Sequence, residues 1–396
     1  MIIYPTDTGK QFNPKLTSTA SLDATVEQLE TNSSLEVKGN SVDTKMIFRI
    51  LVYAAANGLS IEAACDRLDE VADANTVREY INKHYKVERF LELEKEMNQT
   101  IPKHFPRRVR RGKIEFAVDE HDQPFYGKEE QHEEYLVGGK AKASTTKFYR
   151  IASLSCLYQG VRIVMAIVFV KPEMTQVEIV SKLLKYAEAC NISLKGKVIY
   201  FDRGFDSVEL YKYLEEEGYS AVLGCPIRGK EGRGSKGLCK GNKSYEARYE
   251  FNSQKGGKHK ARVGVVRVFK HKEKKIWGSW VIYVLINTEM SLREAHKGYK
   301  ARFGIESSYK KMREARVRSN SRNPMLRFIY MALGLIMMNM WVLIRYVYCQ
   351  IARQGGRKVN EKLLPFHKFL SFVSQAVVKI YGLISCINAT AGPTGL

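Results

Sequence analysis

The sequence lacks the signatures of several common protein classes. Its seven cysteines form no C-x-x-C or C-x-H pair, so the ligand spacing of a structural zinc site is absent. Scattered thiols in odd number are expected to stay reduced in the cytoplasm. The first residues show no basic segment followed by an apolar one, so no secretory signal is expected. The glycine-rich loop after residue 225 contains no GKS or GKT element, which argues against a phosphate-binding loop.

Acidic residues are scarce beside basic ones. The 396 residues include 64 Lys and Arg but only 42 Asp and Glu, which gives a net charge of +22. Residues 225–275 carry 16 of these cations against 4 Glu, and residues 293–322 carry 10 against 3. Two segments therefore hold most of the excess charge. This concentration indicates a polyanionic partner, most simply nucleic acid, with an anionic membrane surface as the second choice.

Long apolar runs are nearly absent. The sequence has one, the 17 residues Phe328–Ile344, in which Asn339 is the single polar side chain. That length lies at the short limit for a membrane span. Because the chain is strongly basic and has no second such run, we interpret this one as a helix buried in the centre of an α/β core. No membrane association is expected, and a membrane anchor is the alternative.

Length and composition predict a globular protein of two or three domains. Residues 1–40 are polar and expected to be loosely ordered. Residues 41–101 predict a helical domain in which Ser60 and Asn75 cap short helices. This pattern resembles a helix-turn-helix, so the domain either binds DNA or simply packs. Residues 102–113, which contain two prolines and several arginines, predict a basic linker.

Strands and helices alternate from residue 114 onward. Residues 114–224 predict a strand, a hairpin, a helix, a strand, a helix and a strand, which indicates an α/β fold with a mixed sheet and flanking helices. Residues 225–290 predict a basic, β-rich insertion. Residues 291–353 return to helices and complete the core, and residues 354–396 form a C-terminal tail.

Three acidic residues stand out in this pattern. Asp119 is predicted to end the first strand, Asp202 to end the fourth, and Glu306 to lie on a helix. Aspartates at the ends of adjacent strands can share a metal ion, and a carboxylate from a covering helix would close the site. Oxygen ligands without His or Cys favour Mg²⁺ or Mn²⁺, and two such ions support phosphoryl displacement. Each residue could instead be an ordinary turn or cap residue.

The helix predicted to contain Glu306 carries a row of cations. At about 100° per residue, Tyr299, Arg302, Glu306, Lys310 and Arg313 fall within a stripe roughly 80° wide. One interpretation is a solvated helix face with an ordinary pair between Glu306 and Lys310. The other is a face pressed on a polyanion, with Glu306 holding a metal.

The same stripe resembles a known motif. Tyr299, Arg302 and Glu306 match the Y-x2-R-x3-E-x6-K pattern of DDE transposases from prokaryotic insertion sequences. Arg313 stands where this family has Lys, and Lys310 could share its role. The chain looks closest to an archaeal-type subgroup of the family.

Two further motifs carry the resemblance, which covers residues 110–350. Asp202 begins a DRGFDS sequence that matches the second motif of the family. Asp119 and the nearby HDQPFYG sequence resemble the first motif, and Asp122 is a rival to Asp119 there. The resemblance implies a ribonuclease-H-like catalytic fold, with the β-rich insertion placed before the last catalytic helix.

The resemblance also implies a function. Asp119, Asp202 and Glu306 would be the catalytic residues and would hold two Mg²⁺ or Mn²⁺ ions. The enzyme would bind the inverted repeats of a transposon, hydrolyse one strand at each end, and transfer the freed 3′-hydroxyl to target DNA. A dimer acting on double-stranded DNA in the cytoplasmic nucleoid is expected. A nuclease or resolvase without strand transfer and a non-catalytic DNA-binding regulator are the alternatives.

DNA contacts are expected from two kinds of residue. Cationic and phenolic side chains around the motifs would hold the backbone beside the cleaved phosphate, and a tryptophan of the insertion could stack on an unpaired base. The residues expected to contact DNA are Tyr299, Arg302, Lys310, Arg313, Arg203, Trp277 and Trp280.

Overall fold

The computed structural model describes residues 15–39, 41–101, 114–128, 132–158, 161–189, 193–230, 232–272, 275–302, 309, 311–353 and 356–386. The α-helices are α1 (Ser18–Asn32), α2 (Thr44–Asn57), α3 (Ile61–Cys65), α4 (Ala74–His84), α5 (Phe90–Thr100), α6 (Gln176–Glu188), α7 (Val208–Glu216), α8 (Leu292–Arg302), α9 (Pro324–Tyr348) and α10 (Phe366–Tyr381). The strands are β1 (Glu115–Pro124), β2 (Val137–Lys142), β3 (Thr145–Tyr158), β4 (Val161–Val170), β5 (Val198–Phe201), β6 (Ser220–Cys225), β7 (Tyr245–Ser253), β8 (Gly257–Lys272), β9 (Lys275–Ile286), β10 (Gln350–Arg353) and β11 (Gly356–Val359).

The chain divides into two compact units. One unit combines Met1–Pro102 with Lys310–Leu396 and contains α1–α5, α9, α10 and the paired strands β10 and β11. The other unit, Lys103–Tyr309, contains the remaining elements. The boundaries predicted from the sequence divide the chain more finely than these units, and they stay predictions.

The described strands of the unit Lys103–Tyr309 form one mixed sheet. Its strand order is β2-β3-β1-β5-β6-β9-β8-β7, with β4 paired to β3 outside this path. The pairs β1–β5 and β5–β6 are parallel, while the pairs of β3 with β1 and of β6 with β9 are antiparallel. Helices α6, α7 and α8 pack against these strands. The mixed sheet with flanking helices expected from the sequence is therefore confirmed.

The central parallel strands are short and buried. Ile199, Tyr200 and Phe201 of β5 are fully buried, as are Ala221, Val222 and Leu223 of β6. Such a continuous apolar run is typical of a strand covered on both faces. The central position of β5 fixes Asp202, the next residue of the chain, in the middle of the sheet.

The strands of residues 225–290 extend this sheet and do not form a separate one. β9 pairs with β6 from Ala221↔Ile286 to Cys225↔Ile282, and β8 and β7 follow outward. Because β9 is longer than β6, the far half of the β8–β9 pair, including Arg267↔Trp280, continues past the end of β6. The segment predicted as an insertion thus shares the sheet with the strands that carry Asp119 and Asp202.

Two predictions are wrong: where β1 ends, and that residues 18–32 are loosely ordered. β1 does not end at Asp119 but continues to Pro124, because its antiparallel register with β3 runs on to Pro124↔Phe148 after the parallel strand β5 has ended. Residues 18–32, expected to be loosely ordered, form α1, which Thr17 caps through a hydrogen bond from the Ala20 amide. An apolar stripe on this helix explains its order, since Leu22, Val26 and Leu29 are buried.

Smaller differences concern caps and turns. Ser60 caps α3 as predicted, but α4 is capped by Asp73 and not by Asn75, because the Asp73 carboxylate accepts the Asn75 amide proton. The turn of the predicted hairpin falls at Gln159 and Gly160, outside the described residues. The helices predicted up to residue 353 end at Tyr348, two residues before β10 begins.

The long apolar run forms most of α9. This helix is long and apolar enough to cross a membrane, but 94% of its most apolar 18-residue window is buried inside the structure. Its neighbours within its own unit include α1, α2, α5, α10 and β10. A helix that is apolar all round is expected in the interior of a helical unit. The predicted burial is therefore found, although α9 belongs to the helical unit and not to the unit that contains the mixed sheet.

Helix α8 approaches the sheet closely at a glycine. Ser291 and Glu294 form its capping box: the Glu294 amide donates to Ser291 Oγ over 3.3 Å, and the Ser291 amide donates to Glu294 Oε2 over 3.1 Å. Two turns later, a Cβ atom at Gly298 would overlap the phenol of Tyr200 on β5. Gly298 therefore sets how near α8 can lie to β5, and α8 carries Tyr299 and Arg302.

Replacing Gly298 with alanine should destabilise the protein. Alanine favours a helix over glycine by about 1 kcal/mol, but the overlap with Tyr200 should outweigh this gain and lower the free energy of unfolding by about 1–3 kcal/mol. Denaturant unfolding of the purified chain would measure the change. Gly138→Ala is the matched control, because a Cβ atom at Gly138 meets open space. Equal unfolding midpoints for Gly298→Ala and the wild type would contradict the close approach.

Candidate active site

Two aspartates meet at the centre of the sheet. The parallel pairing of β1 with β5 runs from Phe116↔Ile199 to Val118↔Phe201. The residues that follow these paired segments are Asp119 and Asp202. Adjacent parallel strands lie about 4.8 Å apart, so the two residues leave the paired region side by side. Asp119 is buried, whereas the Asp202 side chain is 43% exposed. The predicted neighbourhood of these carboxylates is thus present, at the end of the parallel pairing and not at the end of β1.

The guanidinium of Arg302 lies between the two carboxylates. Its Nη1 donates to Asp119 Oδ1 over 3.3 Å, and its Nη2 donates to Asp202 Oδ1 over 3.3 Å. The Arg302 side chain is only 3% exposed. A buried cation and two carboxylates stabilise one another, because each would be costly to bury alone.

The backbone after β5 holds Asp202 in place. Asp202 caps a short turn formed by Arg203–Phe205, and its Oδ1 accepts the Arg203 amide proton over 2.6 Å. Phe205 is buried against Phe201, with ring centroids 5.7 Å apart. The DRGF part of the second motif therefore builds a turn that presents one carboxylate oxygen to both a backbone amide and Arg302.

Tyr299 is buried one helical turn before Arg302. Its ring lies 4.8 Å from that of Tyr283 and 5.3 Å from the Arg302 guanidinium carbon. A Cβ atom at Gly224 on β6 would overlap the Tyr299 hydroxyl, so β6 needs glycine there to admit the phenol. Burial raises the pKa of Tyr299, while the cation of Arg302 lowers it. Tyr299 thus supports Arg302 from within the core.

Tyr309, which was not among the predicted site residues, contacts the backbone of Asp119. Its hydroxyl donates to the Asp119 carbonyl oxygen over 3.1 Å and shares a 2.7 Å hydrogen bond with Ser153 Oγ. Its ring stacks on that of His121, 4.8 Å away. Burial raises the pKa of Tyr309 well above its usual value, and the Asp119 charge adds to the effect. The available signal was spacing, since Tyr309 follows Glu306 by three residues and a helix would put both on one face.

Asp122, the rival to Asp119, lies on the other face of β1. Residues separated by three positions in a strand point to opposite faces. Arg150 Nε donates to Asp122 Oδ1 over 2.6 Å, and Arg150 Nη1 lies 3.2 Å from Glu120 Oε2. Burial raises the pKa of Glu120, whereas Arg150 lowers it. This second cluster places a cation between two carboxylates on the face away from Asp119.

The remaining predicted site residues are more dispersed. Glu306 and Lys310 lie outside the described residues. Arg203 is exposed beside Asp202, while Arg313 is exposed in the unit that includes Lys310–Leu396. Trp277 is 42% exposed on β9.

Trp280 makes a different contact from Trp277. The Arg267 guanidinium carbon lies 4.8 Å from the Trp280 ring centroid, so this ring carries a cation on one face. A Cβ atom at Gly278 would overlap the Arg267 guanidinium, which shows that Arg267 extends flat across β9. The exposed Phe269 lies two residues further along β8. Aromatic and cationic side chains therefore share one face of the β8–β9 pair.

Asp119 and Asp202 supply donors that a divalent cation accepts. Mg²⁺ and Mn²⁺ prefer carboxylate oxygens, and here one oxygen from each residue already faces a shared cation, Arg302. Within the described ranges, no group of three His, Cys, Asp or Glu side chains could hold a metal ion. The third predicted ligand, Glu306, falls outside those ranges. The two aspartates therefore fit a divalent cation as a pair.

Comparison with known proteins agrees with this architecture. A model of the transposase DDE domain family matches residues 110–340, a range that includes Asp119, Asp202 and Glu306. No curated protein matches the chain. Among solved structures, the chain resembles the piggyBac transposase in a cryo-EM structure of its synaptic complex with hairpin DNA. The two share 14% sequence identity over 94% of this chain and 79% of that chain, with a TM-score of 0.55, which shows a similar fold.

The hydroxyl of Tyr309 should couple to Ser153. Tyr309→Phe removes the donor to the Asp119 carbonyl, and Ser153→Ala removes the second partner of that hydroxyl. We expect each variant to lower the free energy of unfolding by about 1–2 kcal/mol. The double variant should cost less than the sum by about 0.5–1.5 kcal/mol, because both variants remove the same hydrogen bond. Denaturant unfolding of the four proteins measures this coupling, and strictly additive effects would contradict it.

Proposed function

This chain belongs to the transposase DDE domain family, and from that premise we propose that it cleaves DNA at the ends of an insertion sequence and transfers those ends to target DNA. The observation that carries the proposal is the meeting of Asp119 and Asp202 at the end of the parallel β1–β5 pairing. Two carboxylates beside one another in the centre of a sheet would repel unless cations held them. A mixed sheet with this feature suits phosphoryl transfer.

We assign the catalytic roles to three residues. Asp119 and Asp202, together with Glu306, would hold two Mg²⁺ or Mn²⁺ ions. When bound, such ions stabilise the charge on the attacking and leaving oxygens of an in-line displacement at phosphorus. The sheet fixes the first two carboxylates, because β1 and β5 pair through three residues immediately before them. Tyr309 adds rigidity at Asp119 by holding its carbonyl oxygen.

The proposed reaction has two steps. In the first, water attacks a phosphorus atom at the transposon end and the 3′-oxygen leaves, which gives a 3′-hydroxyl and a 5′-phosphate. In the second, that 3′-hydroxyl attacks a phosphorus atom of target DNA, and the target 3′-oxygen leaves. One phosphodiester bond is lost and one is formed in the second step, so no covalent link between protein and DNA is required.

DNA binding would use the exposed cations and aromatic rings. Arg203 and Arg313 are exposed and can reach a phosphate, and Lys310 belongs to the same predicted set. The face of β8–β9 that carries Trp280 and Arg267 suits stacking of an unpaired base, and Trp277 offers a second exposed ring. Tyr299 and Arg302 are buried, so we assign them to the support of the site before any contact with DNA. We propose a dimer on two transposon ends within the nucleoid.

Removing one negatively charged ligand should greatly slow DNA cleavage and strand transfer but leave DNA binding unchanged. Glu306→Gln, Asp202→Asn and Asp119→Asn each keep the side-chain shape, and none reduces the positive charge of the protein. We expect cleavage and strand transfer to fall by about 10³-fold or more while the affinity for DNA is kept. Asp122→Asn is the matched control, because Asp122 pairs with Arg150 on the other face of β1. Its effect should be milder.

The substrate for this test is a linear duplex bearing the inverted repeats that flank the gene. Cleavage at the wild-type rate by Glu306→Gln would remove Glu306 from the site. A duplex already cut to expose the 3′-hydroxyl separates the two chemical steps. If that duplex joins to no target DNA while the uncut duplex is still hydrolysed, the protein is a nuclease and not a transposase.

DNA binding should depend steeply on salt. DNA carries condensed cations, which are released when the Lys and Arg side chains of this chain, whose net charge is +22, neutralise its phosphates. The logarithm of the association constant should fall by about 0.9 per phosphate contact for each unit of log salt concentration. Fluorescence anisotropy of a labelled duplex over a range of NaCl concentrations would measure the slope. A slope near zero would exclude the phosphate backbone as the main contact.

A further inference from the structure

We propose that Arg302 is a placeholder cation for the metal site, so that its guanidinium holds Asp119 and Asp202 together until a divalent ion displaces it. This inference rests on the proposed function, because it takes these two aspartates as ligands. It gives Arg302 a role that differs from the DNA contact expected from the motif.

The geometry puts the guanidinium and a metal ion in competition. Arg302 uses one terminal nitrogen on Asp119 Oδ1 and the other on Asp202 Oδ1. Asp119 and Asp202 would also be the residues that hold a divalent ion, so the ion and the guanidinium would compete for the same two carboxylates. A guanidinium beside those oxygens would then face a doubly charged ion at short range, and like charges repel. Arg302 and the ion therefore exclude each other from at least one of the two contacts.

The contacts of Arg302 are long enough to be exchanged. Both measure 3.3 Å, whereas a strong hydrogen bond between charged groups measures about 2.7–2.9 Å. The cluster of Arg150 on the other face of β1 offers a comparison, since Arg150 lies 2.6 Å from Asp122. Arg302 thus compensates the negative charge without forming a short hydrogen bond to either carboxylate.

The charges also leave the site ready for a further cation. One guanidinium compensates only one of the two negative charges, and Asp119 is buried, so the low-dielectric surrounding screens its charge poorly. Asp202 is 43% exposed and gives an ion from solution a route to the pair. The ring of Tyr299 lies 5.3 Å from the guanidinium carbon, so the displaced guanidinium can keep a cation–π contact with it.

The decisive experiment is a calorimetric titration of the full-length chain with Mn²⁺ in the absence of DNA. Arg302→Gln removes the competing charge, and we expect its Mn²⁺ dissociation constant to fall by about ten-fold or more. Arg302→Lys keeps the charge but loses the fork that spans both carboxylates, so its dissociation constant should lie between those of Arg302→Gln and the wild type. Arg150→Gln is the control, with an unchanged dissociation constant, because Arg150 serves the other face.

Thermal stability gives a second readout. Metal-free Arg302→Gln should melt below the wild type, because Asp119 and Asp202 then repel each other without compensation. Mn²⁺ should raise its melting temperature by more than it raises that of the wild type, since the ion binds more tightly. A purely structural role for Arg302 would lower the melting temperature with and without Mn²⁺ by the same amount.

The outcomes separate this inference from the proposed function. If Arg302→Gln binds Mn²⁺ no more tightly than the wild type, the placeholder role is wrong. Should Arg302→Gln fail to fold, weaker Mn²⁺ binding by Arg302→Lys than by the wild type overturns it in the same way. The metal site itself is tested by Asp119→Asn and Asp202→Asn. If neither lowers the Mn²⁺ affinity of the wild type, the proposed function loses its metal site, whatever Arg302 does.

Discussion

The structure of the unit Lys103–Tyr309 depends on the repulsion between two carboxylates that the sheet forces together. β1 and β5 pair in parallel up to Val118↔Phe201, so Asp119 and Asp202 follow on neighbouring strands with no freedom to separate. Asp119 is buried, and a low-dielectric surrounding strengthens the repulsion. A cation must therefore reach the pair. In the structure that cation is Arg302. Helix α8 must therefore lie where the Arg302 side chain can reach both aspartates.

The position of Arg302 also depends on uncharged residues that leave space around helix α8. The guanidinium can reach both aspartates only if α8 lies close to β5, and Gly298 permits this because any side chain there would overlap Tyr200. Tyr299 needs space on β6, which Gly224 leaves. These two glycines are set by the position of Arg302 and not by the flexibility of the backbone. On the other side of Asp119, the Tyr309 hydroxyl fixes the carbonyl oxygen, so that the carboxylate is held through its backbone as well as through its partner.

Much of this could be predicted from the sequence, because the main signals are local. Apolar strands followed by Asp119 and Asp202, the cap at Ser60, and the mixed sheet all came from patterns within short windows. The rest depends on partners distant in sequence. β1 extends beyond its predicted end because β3 continues to pair with it. The strands after residue 225 join the sheet because β6 leaves an edge that β9 occupies, and no pattern within 225–290 reveals that edge.

The site residues show the same limit. A helical stripe identified Tyr299 and Arg302 as one face, but periodicity does not tell whether that face meets solvent, DNA or the protein's own carboxylates. Both residues were expected to contact DNA, and both are buried in the structure. Tyr309 was overlooked because a tyrosine between Ser308 and Lys310 shows no charge pattern of its own, and its role exists only through Ser153 and Asp119.

The burial of Arg302 links the resting state of the site to its proposed chemistry. Taking a guanidinium out of water costs on the order of several kcal/mol unless carboxylates compensate it, so Arg302 is stable in the core only while Asp119 and Asp202 are free to pair with it. Any ion that neutralises the two aspartates removes that compensation and makes the buried position of Arg302 unfavourable. Binding of the ion and release of the guanidinium are then one equilibrium, and the nearest anion in the proposed complex is a DNA phosphate. A motif arginine can in this way serve the carboxylates first and the nucleic acid afterwards, without a change in the fold that carries it.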